Sequence, residues 1–300
     1  MNVAILSMGR KNYSTMRLVE EANMRGHNVR VINYAKCFVT LEQNNPIVHY
    51  RGEVLTDIDA IIPRISARLT NYGAAIVRQF EMQNVFTTTS SIAIVRSRDK
   101  LRSMQLLSKS GVGIPMTVFA RETADYEGVL EQVGGAPVII KVAKGTHGKG
   151  VVLAETRKAA LAVMQAFNVE NVNFLVQEYV AESNGSDIRA FIVNGKVVAS
   201  MLRRAKDEDF RSNLHQGGVG EVVKLTDVER RTAQKAAKAM GLSIAGVDML
   251  RTASGPQVLE VNCSPGFGIE KITGRNVAAS IIEYTEHSAK TGRRKDKIGA

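Results

Sequence analysis

The chain has 300 residues, 44% hydrophobic and 23% charged, which is the make-up of a globular protein with two or three packed subdomains. Its formal net charge of +11 draws anions, while 5% aromatics and no tryptophan leave few stacking platforms for single-stranded nucleic acid. No apolar run approaches the roughly 18 residues of a membrane span, the start runs strand then basic residues, the reverse of a signal peptide, and the two cysteines, Cys37 and Cys263, lack metal-type spacing and fit a reducing cytoplasm.

The first ninety residues alternate strand and helix. Residues 3–8 predict a strand, 13–25 a helix stopped by Gly26, 27–33 and 59–65 two more strands, and about 71–82 a second helix. The first turn, S-M-G-R-K-N, lacks the G-x-G-x-x-G fingerprint of a dinucleotide site. Residues 97–111 read as one helix, capped by Ser97 and ended by Gly111. A second α/β unit covers about 116–180: the strand P-V-I-I-K-V-A, a glycine-rich turn, the strand V-V-L-A-E, a helix from Thr156, and F-L-V-Q-E-Y-V. The third unit opens with R-A-F-I-V-N-G-K-V-V-A-S-M, whose Asn194-Gly195 pair signals a type I′ hairpin. Thr226 and Glu229 form a capping box for a helix reaching about Met240, and a last helix covers about 276–290.

The segment L-E-V-N-C-S-P-G places Glu260 and Asn262 two residues apart on a strand, so both project to one face. Upstream, A-G-V-D-M-L carries Asp248, and the A-S-G-P turn folds the two strands into an antiparallel hairpin. Two carboxylates and an amide oxygen then suit Mg²⁺ bound to a substrate phosphate; a solvated polar sheet face is the competing reading. K-G-T-H-G-K-G-V has glycines at 145, 148 and 150, which let backbone N–H groups approach an anion. It has no Walker-type G-K-[ST], and it reads as a hairpin closing over a triphosphate or as an ordinary hairpin tip. Lys141, inside an apolar strand, invites a phosphate or faces water at an edge. Gln177, Glu178 and Tyr179, followed by Asp187, offer an adenine edge and a ribose carboxylate. Residues 201–220 gather Arg203, Arg211, Ser212, Asn213 and His215 before Gly217 and Gly218, a set for phosphate or carboxylate, or else a solvated loop.

Taken in order, Lys100 before a helix, Lys141 in a strand, the glycine-rich hairpin, Q-E-Y, R-S-N-L-H-x-G-G, V-D and L-E-V-N-x-S-P-G resemble the ATP-grasp ligases. The chain is most similar to the RimK-type ligases, which add glutamate to the C-terminus of the sixth small-subunit ribosomal protein (S-six). D-K-L-R-S-M-Q-L-L, V-V-L-A-E-T-R and D-F-R-S-N-L-H extend the likeness over nearly the whole chain. Cys263 stands where that family often has alanine.

The resemblance implies an α/β (α+β) ATP-grasp fold. A Rossmann-like open sheet would span 1–95, a central subdomain with a glycine-rich lid 96–182, a C-terminal subdomain with the metal site 183–290, and a basic tail 291–300. It also implies roles. Lys100 and Lys141 would hold ATP phosphates, with Gly148, Lys149 and Gly150 over them. Glu178 and Tyr179 would meet adenine, Asp187 the ribose, and Arg211, Ser212 and Asn213 the nucleotide and reacting groups. Asp248, Glu260 and Asn262 would hold one or two Mg²⁺ or Mn²⁺ ions, and Arg203 would stabilise the transferring phosphoryl group.

The implied substrates are ATP, L-glutamate and the S-six C-terminus, with poly-α-glutamate as a further product; a homo-oligomer in the cytoplasm is expected, with no membrane and no nucleic-acid reading. The rivals are a ligase joining an amino acid to a small metabolite or cofactor, and a non-catalytic nucleotide-binding scaffold.

Overall fold

The computed structural model describes residues 1–121, 125–143, 150–170, 172–205 and 218–291. Short apolar strands alternating with amphipathic helices build the first part. β1 (Asn2–Leu6) is followed by α1 (Tyr13–Met24), whose Thr15, Leu18, Glu21 and Ala22 recur at helical spacing and are buried. β2 (Asn28–Ile32) lies parallel to β1. β3 (Cys37–Glu42), β4 (Asn45–Tyr50) and β5 (Glu53–Val54) then form a small antiparallel sheet with no counterpart in the sequence reading. Its turn rests on Asn44 at φ 58°, and Asn is among the few non-glycine residues that adopt that conformation readily. β6 (Ala60–Pro63), α2 (Thr70–Met82) and β7 (Phe86–Thr87) complete a parallel sheet in the order β2-β1-β6-β7.

The helix expected over 97–111 is two helices, α3 (Ser91–Arg98) and α4 (Lys100–Lys109). Ser97 is not the cap: it lies inside α3, and its hydroxyl donates to the Ile94 carbonyl at 3.0 Å. Asp99 breaks the chain in an extended conformation and accepts the Arg102 N–H at 3.0 Å. A carboxylate at the N-cap also meets the positive end of the helix dipole, which favours Asp99 over Ser97.

β8 (Thr117–Ala120), α5 (Tyr126–Gln132), β9 (Val138–Val142), β10 (Val151–Ala154), α6 (Arg157–Val169) and β11 (Phe174–Glu178) follow. Their sheet, ordered β10-β9-β11-β8, is antiparallel throughout, and α5 and α6 bury Leu130, Ala160 and Met164 against Val138, Ile140, Phe174 and Val176. The last part holds β12 (Ser186–Val193), β13 (Lys196–Arg204), β14 (Val219–Val222), α7 (Asp227–Ala239), β15 (Ile244–Leu250), β16 (Gln257–Asn262), α8 (Gly268–Thr273) and α9 (Val277–Thr291). The sheet order is β14-β13-β12-β15-β16. Asn194 and Gly195, at φ 49° and 74°, make the expected primed turn between β12 and β13. The Thr226–Glu229 capping box is present at the head of α7.

Three seams join these parts. Arg25 pairs with Glu283 and Glu286, and Arg17 with Glu270, across α1, α8 and α9. The Val258 N–H donates to the Gly113 carbonyl at 2.7 Å, pinning the segment after α4 to β16. Met116 and Glu178 exchange two bonds: the Glu178 N–H to the Met116 carbonyl at 3.0 Å, and the Met116 N–H to the Glu178 carboxylate at 2.9 Å. Among the described residues, no helix is long and apolar enough to cross a membrane.

Candidate active site

Antiparallel pairing sets charged residues in a row across the last sheet. Asp187 on β12 lies opposite Arg203 on β13; two residues on, Arg189 lies opposite Asp248 on β15, which lies opposite Glu260 on β16. Residues in register share a face, so all five side chains project to one side. Arg189 forks onto Asp248, Nε to Oδ1 at 2.7 Å and Nη2 to Oδ2 at 2.5 Å. Arg203 grips Asp187 with two donors and reaches Asp248 Oδ2 at 2.8 Å. Asp187, Arg203 and Asp248 are only 4%, 2% and 2% exposed, so these charges persist by pairing.

The pairing sets the protonation states. Burial disfavours Asp248's charge, but Arg189 and Arg203 together outweigh it and hold the carboxyl well below the usual carboxylate range. Burial likewise opposes the Arg203 charge, which Asp248 and Asp187 more than restore. Asp187 is raised by burial, with Arg203 pulling the other way. Glu260 keeps 55% of its side chain exposed, with neighbouring protein crowding its carboxylate. That crowding, and then the Asp248 carboxylate beside it, raise its pKa. Asn262 Nδ2 donates to Glu260 Oε1 at 2.8 Å.

Two lysines face this row. Lys100, at the start of α4, donates from Nζ to the Val142 carbonyl at 2.7 Å; burial lowers its pKa, and Glu260 opposes the shift. Lys141 on β9 donates to Gln177 Oε1 at 2.6 Å, and Gln177 Nε2 in turn to Thr117 Oγ1 at 2.8 Å. Burial pushes the Lys141 amine down to about 8, Glu260 opposing and Lys100 assisting. The half-buried Lys141 ammonium is held by one neutral amide and, among the described residues, forms no ion pair. Gly150, at φ +72°, opens β10 beside it; a Cβ there would lie 2.4 Å from a Val142 methyl.

The sequence-derived residues thus sort into three groups. Lys100, Lys141, Asp187, Arg203, Asp248, Glu260 and Asn262 come together on or against one sheet face. Glu178 and Tyr179 lie at the end of β11, half-buried, where Glu178 bridges to Met116. Gly148, Lys149, Arg211, Ser212, Asn213 and His215, with the basic tail from Arg293, lie outside the described residues.

The donor set fits a hard divalent cation. Asp248 and Glu260 are close enough to perturb one another, and Asn262 adds an amide oxygen two residues on. Among the described residues no group of three or more His, Cys, Asp or Glu gathers as a metal site; two carboxylates and an amide compose this one. Asp187 is more enclosed than a ribose contact requires, and any hydroxyl there shares its oxygens with Arg203. The sequence reading passed over Arg189, although D-I-R already puts Asp187 and Arg189 on one strand face.

The chain matches a RimK-like ATP-grasp domain model over residues 97–285 and a RimK PreATP-grasp domain model over residues 1–94. It is 56% identical over 291 residues to a probable alpha-L-glutamate ligase of Hydrogenovibrio crunogenus, covering 97% of each chain. A probable alpha-L-glutamate ligase of Methanococcoides burtonii is 52% identical over 298 residues, with 99% of each chain covered. Among solved structures, the RimK domain protein ATP-grasp of Sphaerobacter thermophilus superposes with a TM-score of 0.70 at 18% identity, covering 95% of this chain and 100% of the other. D-alanine–D-alanine ligase of Bacillus anthracis, complexed with ATP, gives 0.67 at 16% identity, covering 97% and 98%.

Proposed function

Since the chain belongs to the RimK-like ATP-grasp family and is an ATP-dependent carboxylate–amine ligase, we propose that it joins L-glutamate to the C-terminus of ribosomal protein S-six in the cytoplasm. The supporting observation is the convergence of two anion-starved lysines, Lys100 and Lys141, with the Asp248–Glu260–Asn262 oxygens on one face. That arrangement suits a nucleotide's outer phosphates carried with Mg²⁺ or Mn²⁺. The high identity to probable alpha-L-glutamate ligases supports glutamate as the amine.

In this reading the acceptor carboxylate attacks the γ-phosphorus of ATP, releasing ADP and forming an acylphosphate. The glutamate α-amine then attacks the acyl carbon, phosphate leaves, and the amide forms with loss of the amine proton. Lys141 and Lys100 hold β- and γ-phosphate oxygens, and Arg203, oriented by Asp187, faces the transferring group. Arg189 fixes the Asp248 carboxylate, and Asp248, Glu260 and Asn262 are the residues that would hold the cation. The ion, when bound, neutralises the phosphate charge that would repel the incoming carboxylate. Glu178 and Tyr179 line the adenine side, and Asp187, whose oxygens Arg203 holds, serves Arg203 before any ribose hydroxyl. Gly150 immediately precedes β10, whose Val151 pairs with Lys141. No enzyme nucleophile takes part; positioning and charge neutralisation supply the rate.

Incubation with ATP, Mg²⁺ and isotope-labelled glutamate, alone and with purified S-six, followed by mass spectrometry, tests the assignment. Mass increments of glutamyl residues on S-six are expected. A glutamylated small molecule with unmodified S-six would transfer the activity to the metabolite-ligase reading.

A further inference from the structure

The carboxyl ends of the parallel strands hold a second cluster of charge. In open α/β sheets ligands collect at those ends. Arg64 directly follows β6, and its Nη2 donates to the Pro265 carbonyl at 2.7 Å while its guanidinium lies 5.0 Å from the Phe267 ring centroid. Arg98, the last residue of α3, donates from Nη2 to the Ile65 carbonyl at 3.0 Å, and its buried Nε has no hydrogen-bond partner among the described residues. Ser264, between Cys263 and Pro265, likewise keeps a buried hydroxyl with no partner.

Among the described residues neither guanidinium has a carboxylate partner. Burial pushes Arg64 down to about 10, opposed by Cys263 and assisted by the like charge of Arg98. Two half-buried guanidiniums of like charge beside two buried, idle polar atoms leave an energetic deficit that an anion would remove. The cluster adjoins the reaction centre along the chain at two points: Ser264 comes two residues after Asn262, and Arg98 two residues before Lys100.

We propose that Arg64, Arg98 and Ser264 seat a carboxylate that does not itself react, belonging to one of the two acidic substrates. This rests on the ligase reading above and adds to it the residues that select for negative charge. The idle Arg98 Nε–H and the Ser264 hydroxyl donate to the carboxylate oxygens, and Arg64 supplies the second positive charge. The seat accepts either a non-reacting carboxylate of the incoming amino acid or an acidic group near the acceptor's terminus.

Steady-state kinetics of Arg98→Gln, Arg98→Lys and Ser264→Ala separate the two sources. Arg98→Gln is expected to raise one carboxylate substrate's KM by about tenfold or more, with the KM for ATP unchanged and kcat within about threefold. Arg98→Lys, which keeps the charge, should recover part of that loss. A rise confined to glutamate assigns the seat to the amino acid, and one confined to the acceptor assigns it to the acceptor. Unchanged KM values for both, or a parallel rise for ATP, overturn the proposal.

Should the wild type release no ADP with glutamate, the activity reading falls by itself. The seat is then judged by thermal shift with millimolar glutarate, which should stabilise the wild type and neither Arg98→Gln nor Ser264→Ala. Equal shifts in all three proteins would refute it.

Discussion

The first and last sheets of the molecule hide their strands in opposite ways. In the parallel sheet, β1 and β6 read V-A-I-L and A-I-I-P, buried on both faces, with nothing to satisfy beyond the backbone. In the antiparallel sheet, β12 and β15 are equally enclosed but carry Asp187, Arg189 and Asp248 among Phe191, Val247 and Met249. Paired buried charges are weak sources of stability and can be replaced by apolar residues without loss, whereas removing one partner is costly. Both sheets feed the hydrophobic core, and the antiparallel one carries in addition a paired charged row that packing alone does not require. That contrast is the reason for proposing the antiparallel sheet as the seat of the chemistry.

The sharpest way to break the contrast is Glu260→Ala. Turnover is expected to fall about a thousandfold or more, measured as ADP release, with the circular dichroism spectrum unchanged. Rates like the wild type's would mean that the row is merely structural. Arg189→Met comes next: Asp248 loses its forked partner and keeps a buried charge, so unfolding free energy should drop by about 3–5 kcal/mol in a urea titration. A drop under about 1 kcal/mol would indicate that Arg203 alone satisfies Asp248.

Lys141 gives a pH test. Its free amine titrates at about 8, and a phosphate partner raises that value, so nucleotide affinity is fully present below pH 8 and declines above it. Calorimetry in buffers of different ionisation enthalpy should show proton uptake on ATP binding near pH 8.5, reduced in Lys141→Met. The smallest effect is expected in the apolar sheet, where Ile62→Val should cost about 0.5–1.5 kcal/mol by the same titration and leave kcat unaltered.

Much of this was legible in the chain because its signals are local. Glu260 and Asn262 share a strand, and the A-S-G-P turn brings Asp248 opposite within a dozen residues, so spacing alone predicts the hairpin. The Asn194-Gly195 turn and the Thr226–Glu229 box are equally local. Arg189 was hidden because its partner depends on the register of β12 against β15, across 59 residues of chain. The break at Asp99 was hidden for a different reason: Ser97 and Asp99 are both good caps two positions apart, and only packing chooses between them. Arg64 and Arg98 carry no motif. Their interest lies in what they fail to bond, which becomes visible only when every neighbour has been placed.

The reciprocal bonds between Met116 and Glu178 have an architectural corollary. The stretch they enclose departs and returns at one spot, as an insert whose two ends lie a hydrogen bond apart. The insert meets the flanking polypeptide a second time where Lys100 bonds the Val142 carbonyl and Leu175 enters the main core. A graft cut at the Met116–Glu178 pair therefore has to keep the Val142 carbonyl that Lys100 bonds, along with the strand bearing Lys141.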